Sequence, residues 1–189
     1  MLPGAVKDEQ LISSDWKMLQ NVIDGVAVHE VLHVPRDHGT ITEVYRPGWD
    51  PTGLPVVQVY QSRLFPGALG AWSCHAKNID RLFINQGHVK VVLYDGRGGS
   101  KTTGKVNEFL IGDARPTFVV IPPGVWHGVQ NLGPSEALML NLPTNPYDYQ
   151  DPDHYRLPFD SDQIPYTWTV RGTSLRPRSD GGQGRKNGG

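Results

Sequence analysis

Two histidines lie in short stretches that could place an imidazole inside a pocket. His127 lies in the run Ile121–Asn131 (IPPGVWHGVQN), between a Pro-Pro-Gly turn and a polar Asn, and His75 ends the stretch Trp72–His75 (WSCH). An imidazole can bind a metal, transfer a proton near neutral pH or simply line a cavity. We expect the two histidines to face one another inside a small β-barrel. Each could then bind a metal, transfer a proton or only line the pocket.

The bulk composition limits the classes of partner. The chain has 189 residues and a formal net charge of −1. It therefore lacks the excess of positive charge that typically binds nucleic acid or an anionic membrane surface. Its single cysteine, Cys74, cannot form an internal disulfide, and no apolar run approaches the roughly 18 residues of a membrane span or the apolar region of a signal peptide. We therefore expect a cytoplasmic protein that recognises its ligand locally, with neither nucleic acid nor membrane as a partner.

Frequent turn residues favour an all-β architecture. The chain contains 22 glycines and 16 prolines, and they separate short, evenly spaced runs of aliphatic and aromatic residues. Predicted strands cover residues 41–45, 56–62, 69–75, 81–87, 88–95, 106–111, 118–121 and 137–142. Strands of this length and spacing are typical of a jelly-roll β-barrel.

Three regions are predicted along the chain. Residues 22–170 should form the barrel, and the last part of this region, 147–168, is rich in Asp, Tyr and Pro and should wrap around it. Residues 1–21 have Leu11, Ile12, Trp16 and Leu19 near helical spacing, which predicts an N-terminal helical extension. Residues 171–189 have almost no apolar side chains and should be disordered.

The spacing around both histidines resembles the paired motifs of the cupin superfamily. The first stretch contains Gly67, Ser73, His75, Asp80 and Gly87, and the second contains Pro122, Gly124, His127 and Asn131. Ser73 stands where cupins usually have a histidine, and Asp80 stands where they have a glutamate. Because side chains alternate along a strand, Ser73 and His75 should share one face, whereas Trp72 and Cys74 should share the other.

A closer resemblance within the cupins covers about residues 24–168, and it is to the dTDP-4-dehydrorhamnose 3,5-epimerase family. The stretches that carry it are 72–75 (WSCH), 81–83 (RLF), 87–89 (GHV), 95–97 (DGR), 121–128 (IPPGVWHG), 145–147 (NPY) and 160–168 (DSDQIPYTW). Upstream, 37–43 resembles the family's early Asp-Arg-Gly motif with His38 in place of Arg, and 58–62 resembles its Gln-x-Asn-x-Ser strand.

The resemblance implies a reaction and a set of roles. The family removes a proton next to the C4 ketone of a nucleotide-linked 4-keto-6-deoxyhexose and returns one on the other face, which is general acid-base chemistry with stabilisation of an enolate. By resemblance, His75 is the base, Asp160 or Asp162 orients it, and Arg81 lies near the enolate oxygen. The residues implied to line the substrate site are Trp72, Ser73, Gln58, His127, Asn141 and Tyr147. The resemblance implies neither a cofactor nor a bound metal. It implies a homodimer.

One departure concerns the catalytic acid. The family has a tyrosine about thirteen residues after the second-motif histidine, and counting from His127 leads to Leu140 or Asn141. Neither side chain can protonate an enolate as a phenol does. Tyr147, Tyr149 or Tyr94 are the candidates to replace it.

Two alternative functions therefore stay open at this point. One is a cupin that binds a nucleotide sugar without catalysis. The other is a metal-dependent cupin in which His75, Asp80 and His127 form a triad of two histidines and one carboxylate. Against the metal stands Ser73, a poor ligand where a further histidine is expected, and Asp80 could equally be a solvated charge paired with Arg81.

Overall fold

The described part of the chain is built almost wholly from β-strands. The computed structural model describes residues 2–7, 10, 12–15 and 21–169. The strands are β1 (Ala27–Glu30), β2 (Val34–Arg36), β3 (Gly39–Ile41), β4 (Tyr60–Leu64), β5 (Leu69–Cys74), β6 (Asp80–Gln86), β7 (His88–Asp95), β8 (Val106–Gly112), β9 (Thr117–Ile121), β10 (Val125–Asn131), β11 (Ala137–Asn141) and β12 (Tyr155–Arg156). A single 3-10 turn covers Pro47–Trp49 in this described part, which holds no helix long and apolar enough to cross a membrane.

Residues 22–168 form one unit, and residues 1–21 together with 169–189 belong to a second. The predicted N-terminal helix depends on Leu11, Trp16 and Leu19, which lie outside the described residues. The predicted disordered tail, 171–189, also lies outside them.

Two five-stranded antiparallel sheets face one another. The first sheet has the order β1-β9-β6-β11-β4, and the second has the order β12-β5-β10-β7-β8. Strands β2 and β3 form a separate hairpin. The predicted jelly roll is thus present, and because no strand pairing joins the two sheets within residues 21–169, it is open rather than closed.

The main core lies between the sheets, because each sheet turns alternate apolar side chains inward. The first sheet contributes Leu82, Ile84, Val119 and Ile121, and the second contributes Val89, Val91, Leu93, Phe109, Ile111, Val125 and Val129, all nearly or fully buried. Asp80 has the same parity as Leu82 and Ile84 on β6. The strand therefore directs one carboxylate to the inner face.

The outer faces of both sheets are covered as well. On the first sheet, Phe83, Phe118 and Val120 pack against Tyr45, Trp49 and neighbouring loop residues. On the second sheet, Trp72 and Val92 pack against Ile164, Tyr166 and Trp168 of the C-terminal segment. The segment predicted to wrap around the sheets thus does so by burying aromatic rings against β5 and β7.

Candidate active site

A cavity of about 720 Å³ is lined by residues of both sheets, a size typical of small-molecule sites. The first sheet supplies Tyr60, Ser62, Asp80, Leu82, Met139 and Asn141, and the second supplies Gly70, Ser73, His127, Gly128, Val129 and Arg156. His75 follows β5 directly and lines the same cavity. Ser73 and His75 therefore share the cavity side of their strand, as the alternation predicts.

The second-motif glycines explain how β10 brings His127 to this position. Gly124 has a φ of 78°, in the left-handed region that favours glycine, and it forms the turn before β10. At Gly128 a Cβ atom would lie 2.6 Å from Ala71 Cβ and 2.6 Å from a ring carbon of Trp168. A larger residue there would push β10 away from both neighbours, so the motif depends on close packing next to the histidine.

The two histidine rings stack on one another with their centroids 5.5 Å apart. The Nδ1–H of His75 donates to the carbonyl oxygen of Asp153, and that of His127 donates to the carbonyl of Val125 at 3.2 Å. These backbone acceptors fix the tautomer of each ring. The Nε2 atoms of both rings point to Asp80, which also lines the cavity.

Asp80 is the carboxylate on which both histidines converge. Its Oδ2 lies 3.2 Å from Nε2 of His75 and 3.2 Å from Nε2 of His127. Its Oδ1 accepts hydrogen bonds from the side-chain amides of Asn78 at 3.0 Å and Asn141 at 2.9 Å. The side chain is 5% exposed, so Asp80 is not a solvated charge.

The electrostatics of the cluster follow from this geometry. Burial alone would raise the pKa of Asp80, but hydrogen bonds and charges from His127 and His75 outweigh burial and hold the pKa well below its usual range. Burial opposes protonation of His75, yet the hydrogen bond and negative charge of Asp80, helped by Asp153, raise its pKa above the ordinary value. His75 is thus a stronger base than a free imidazole.

The C-terminal segment contributes residues that the sequence did not single out. The Asp153 carboxylate accepts three backbone N–H bonds at 2.8 Å, from Ala76, Lys77 and Asn78, and so holds the loop between β5 and β6. The His154 ring lies 5.0 Å from that of His75, and burial together with nearby positive charges lowers its pKa to about 4. A neutral third imidazole therefore flanks the pair.

Asn141 connects the histidine cluster to a tyrosine on the edge strand. Its side-chain N–H groups donate to Asp80 Oδ1 and, at 2.8 Å, to the Tyr60 hydroxyl oxygen. Tyr60 and Asn141 lie directly opposite each other in the pairing of β4 with β11. The sequence did carry a signal for Tyr60, because alternation along residues 58–62 gives Gln58, Tyr60 and Ser62 one face, and all three line the cavity.

The predicted role of Arg81 next to an enolate is wrong. Its side chain is fully buried on the outer face of β6. Its guanidinium N–H groups make five hydrogen bonds of 2.6 to 3.2 Å. The acceptors are Asp50 Oδ2 and the carbonyl oxygens of Leu142, Leu54, Pro55 and Pro143. Arg81 ties the loop before β4 to the end of β11, and no N–H remains for a ligand.

Two further predicted contacts are also contradicted by the structure. Trp72 is fully buried on the outer face of the second sheet, against Tyr166 and Trp168, and so cannot contact a substrate in the cavity. Asp160 and Asp162 are exposed and lie outside the cavity lining. Both ring nitrogens of His75 are already bound to Asp80 and Asp153, which is why neither later aspartate is its partner.

The rim of the cavity is polar and aromatic. Gln58 lines it and accepts a hydrogen bond from the backbone N–H of Tyr147 at 2.8 Å. The rings of Tyr147 and Tyr149 meet edge to face at the rim, 5.1 Å apart, whereas Tyr94 packs with the outer-face cluster around Trp72. Lys77 and Arg156 add two positive charges to the lining.

The cluster also has a donor set that suits a metal. The ligand atoms of His75, Asp80 and His127 lie within 4.8 Å of one another. The backbone carbonyls bound to both Nδ1–H groups resemble the outer-shell partners that usually orient metal-bound histidines. Two imidazoles and one carboxylate could therefore hold a divalent cation, with Ser73 contributing no strong ligand.

Comparisons with known proteins give a consistent picture, although no protein-family model matches the chain. It is 38% identical over 149 residues to the probable low-salt glycan biosynthesis epimerase Agl13 of Haloferax volcanii, covering 76% of this chain and 96% of that protein. It is 34% identical over 151 residues to the spore coat polysaccharide biosynthesis protein SpsL of Bacillus subtilis, covering 79% of this chain and 98% of the relative.

Solved structures match the fold over most of the chain. A dTDP sugar isomerase from Desulfovibrio desulfuricans G20 has a TM-score of 0.72 and 28% identity, covering 80% of this chain and 97% of that one. A dTDP-4-dehydrorhamnose 3,5-epimerase from Bacillus anthracis has a TM-score of 0.70 at 19% identity, covering 84% and 91%, and supports the cupin jelly roll. With its sequence relatives and this fold, the chain belongs to the dTDP-4-dehydrorhamnose 3,5-epimerase family of the cupin superfamily.

Proposed function

We propose that the protein is a nucleotide-sugar epimerase that inverts a carbon next to the C4 ketone of a nucleotide-linked 4-keto-6-deoxyhexose. The observation that carries this proposal is the cluster of His75, Asp80 and His127 inside a cavity large enough for a sugar. A base of raised pKa in a largely buried site can take a proton from a carbon acid, which a free imidazole does poorly.

In the proposed mechanism the bound sugar displaces the contact between His75 Nε2 and Asp80, and the unprotonated Nε2 then removes the proton from the sugar carbon. The C–H electron pair moves into the new C=C bond, and the carbonyl π pair moves onto oxygen to give the enolate. The proton taken by Nε2 lies beside Asp80 Oδ2, whose charge stabilises the imidazolium. His127 shares the same oxygen and holds the carboxylate in place.

The rest of the cavity suits a nucleotide sugar. Lys77 and Arg156 can pair with the diphosphate, and the Tyr147 and Tyr149 rings offer flat surfaces for a base. Ser73 lines the His75 side and can donate a hydrogen bond to the sugar. The relatives are named for glycan and polysaccharide biosynthesis, so we propose that the product enters a polysaccharide.

The test is solvent exchange by variants of the two histidines. With dTDP-4-keto-6-deoxyglucose in deuterated water, His75→Ala should lower deuterium incorporation at C3 or C5 by at least about 100-fold, because the base is lost. His127→Ala should only weaken it. Unchanged exchange by His75→Ala contradicts the assignment, and ligand binding without any exchange by the wild type indicates a non-catalytic sugar-binding protein.

A metal-dependent activity is a second candidate, favoured by the convergence of three ligand atoms on one point. A divalent cation held there would polarise a substrate carbonyl. Elemental analysis of protein purified without chelator tests it. Less than about a tenth of an equivalent of Fe, Mn, Ni or Zn, with exchange unaffected by chelator, excludes this candidate.

We also propose a cytoplasmic homodimer. The segment before edge strand β4 exposes Leu54, Val56, Val57 and Val59, which are 36 to 54% exposed in the single chain. An apolar run beside a sheet edge is a surface that proteins usually cover. The free, buried thiol of Cys74 agrees with a reducing compartment.

A further inference from the structure

The wall of the cavity that faces the histidines carries one phenol. His127 belongs to the second sheet and His75 follows its strand β5, whereas Tyr60 lies on β4 of the first sheet. Both walls line the same cavity. An inversion needs a proton donor on the side of the carbon opposite the base, and Tyr60 lies on the sheet opposite the one that carries His127 and leads into His75.

The hydrogen-bond network determines which way the Tyr60 hydroxyl can donate. Asn141 Oδ1 accepts the backbone N–H of Arg81 at 3.2 Å, so its amide nitrogen must face Asp80 and Tyr60. The phenol oxygen consequently accepts a hydrogen bond from Asn141. Its own hydrogen has no acceptor among the described residues 21–169 and is available to a ligand in the cavity.

We propose that Tyr60 is the acid that returns the proton to the sugar, an assignment that rests on the proposed epimerase function. The O–H bond of Tyr60 breaks as the enolate's electron pair forms the new C–H bond on the face opposite His75. Tyr60 becomes a phenolate, held by the amide N–H of Asn141. Exchange with water then reprotonates the phenolate and removes the proton from His75, so no other reactant is needed.

The surroundings of Tyr60 keep it in the form that an acid needs before the reaction. Burial and the negative charge of Asp80 raise its pKa, and Asn141 only partly offsets them. The phenol is therefore protonated at neutral pH. The Asn141 hydrogen bond strengthens when the oxygen becomes negative, which favours proton release in the transition state.

The other tyrosines named from the sequence are less well placed. Tyr149 is 86% exposed, and Tyr94 packs on the outer face of the second sheet. Tyr147 is about as exposed as Tyr60, at 49% against 45%, and Tyr60 is distinguished from it by the hydrogen bond between its hydroxyl and Asn141. Tyr60 occupies the Asn position of the stretch that resembles Gln-x-Asn-x-Ser. Asn141 occupies the position at which the related family has its tyrosine. The two residues are direct cross-strand partners, so the exchange moves the phenol by one strand, about 4.8 Å.

The test compares Tyr60→Phe with Tyr155→Phe, the same change at an exposed tyrosine outside the cavity lining. With dTDP-4-keto-6-deoxyglucose in deuterated water, NMR measures exchange and inversion separately. We expect Tyr60→Phe to lower kcat for inversion at least about 100-fold, with KM changed only a few-fold, while His75 still exchanges the proton. Tyr155→Phe should behave as wild type.

Three other results of this experiment would overturn the assignment of Tyr60. Inversion by Tyr60→Phe at the wild-type rate overturns the assignment of Tyr60 and leaves the epimerase function standing. Loss of both exchange and inversion in a folded variant that binds ligand also overturns it, because Tyr60 would then act in proton removal. Absence of exchange in the wild type overturns the epimerase function and the assignment together.

A paired exchange gives a second test that does not depend on a loss of activity. Tyr60→Asn should be inactive in inversion, and adding Asn141→Tyr should restore at least about a tenth of the wild-type rate, because the phenol returns to the same wall. Recovery supports a proton donor on this wall. If the double variant folds but stays as inactive as Tyr60→Asn, the assignment is contradicted.

Discussion

Asp80 holds both cavity histidines with one carboxylate oxygen, and this arrangement couples activity to pH. In metal-free protein, His75 must be neutral to take a proton, and its pKa is raised above the ordinary value of about 6.5. The kcat/KM for exchange should therefore rise with pH, with a midpoint above about 6.5. Asp80→Asn should move the midpoint downward and lower the maximum; an unshifted midpoint contradicts the pairing.

Above neutrality the free energy of unfolding should fall as pH rises, whereas the kcat/KM for exchange should increase. A raised His75 pKa stabilises the folded state below about pH 6.5, and this contribution is lost as pH rises through the folded value. The lowered Asp80 pKa stabilises the fold above about pH 3.8 and is lost at lower pH. Denaturant unfolding at several pH values should thus show both contributions between about pH 4 and 6.5, and Asp80→Asn should flatten the curve.

Arg81 should behave as a structural residue. Arg81→Lys keeps the charge but loses the planar group that reaches Asp50 and four carbonyl oxygens, so the free energy of unfolding should fall by about 3 kcal/mol or more. Arg63→Lys, at the exposed pair with Glu136, should change it little. Normal unfolding of Arg81→Lys combined with lost exchange would restore the predicted role at the enolate.

Residues Asp80 and Arg81 show what the sequence could and could not predict at this scale. Adjacent residues on a strand must face opposite sides, so only one of the two could reach the cavity. Nothing in the sequence states which face of β6 looks inward, because both faces of this strand are buried. The resemblance favoured Arg81, and the structure places Asp80 inside.

At the scale of elements, the loop between β5 and β6 depends on the distant Asp153. Asp153→Ala removes the acceptor of three backbone N–H groups and loosens the carbonyl that orients His75. We expect faster amide hydrogen exchange at residues 76–78 and a lower kcat. Asp113→Ala, at an exposed turn after β8, is the matched control. Unchanged amide exchange in Asp153→Ala would show that the loop is held by other contacts.

Most strands were predictable because turn residues bound them on both sides, but the predicted strand 41–45 contributes only Ile41 to β3, and the predicted strand 56–62 begins at Tyr60. The expected 88–95 strand matches β7 (His88–Asp95), and 106–111 matches β8 (Val106–Gly112) to within one residue. The contacts of the C-terminal segment were not predictable, since Asp153 reaches residues more than 70 positions earlier. Register shifts, such as the one between His127 and Val129 in the pairing with β5, also leave no sequence signal.

For the whole molecule, the apolar run before β4 should form a dimer contact. We expect the wild type to elute as a dimer in size-exclusion chromatography with light scattering. Val57→Lys should shift it toward monomer, because a buried unpaired charge is costly. Leu110→Lys, on a similarly exposed apolar residue of β8, should not. A wild-type monomer at high concentration contradicts the proposed homodimer.

The fold was predictable as a whole because evenly spaced short strands and two histidine motifs agree with one architecture. The spacing indicated a jelly roll with a wrapping C-terminal segment, and both are present. What the sequence left open was closure, since no pairing links the two sheets within residues 21–169. It also left open the identity of the phenol opposite the histidines, which depends on the pairing of β4 with β11.

The most direct test of the proposed epimerase activity is an NMR time course of dTDP-4-keto-6-deoxyglucose with wild-type protein in deuterated water. We expect deuterium at C3 or C5 together with inversion at the same carbon, because His75 removes one proton and Tyr60 returns another from the opposite wall of the cavity. Deuterium incorporation with retained configuration, or tight binding with no incorporation, would contradict it.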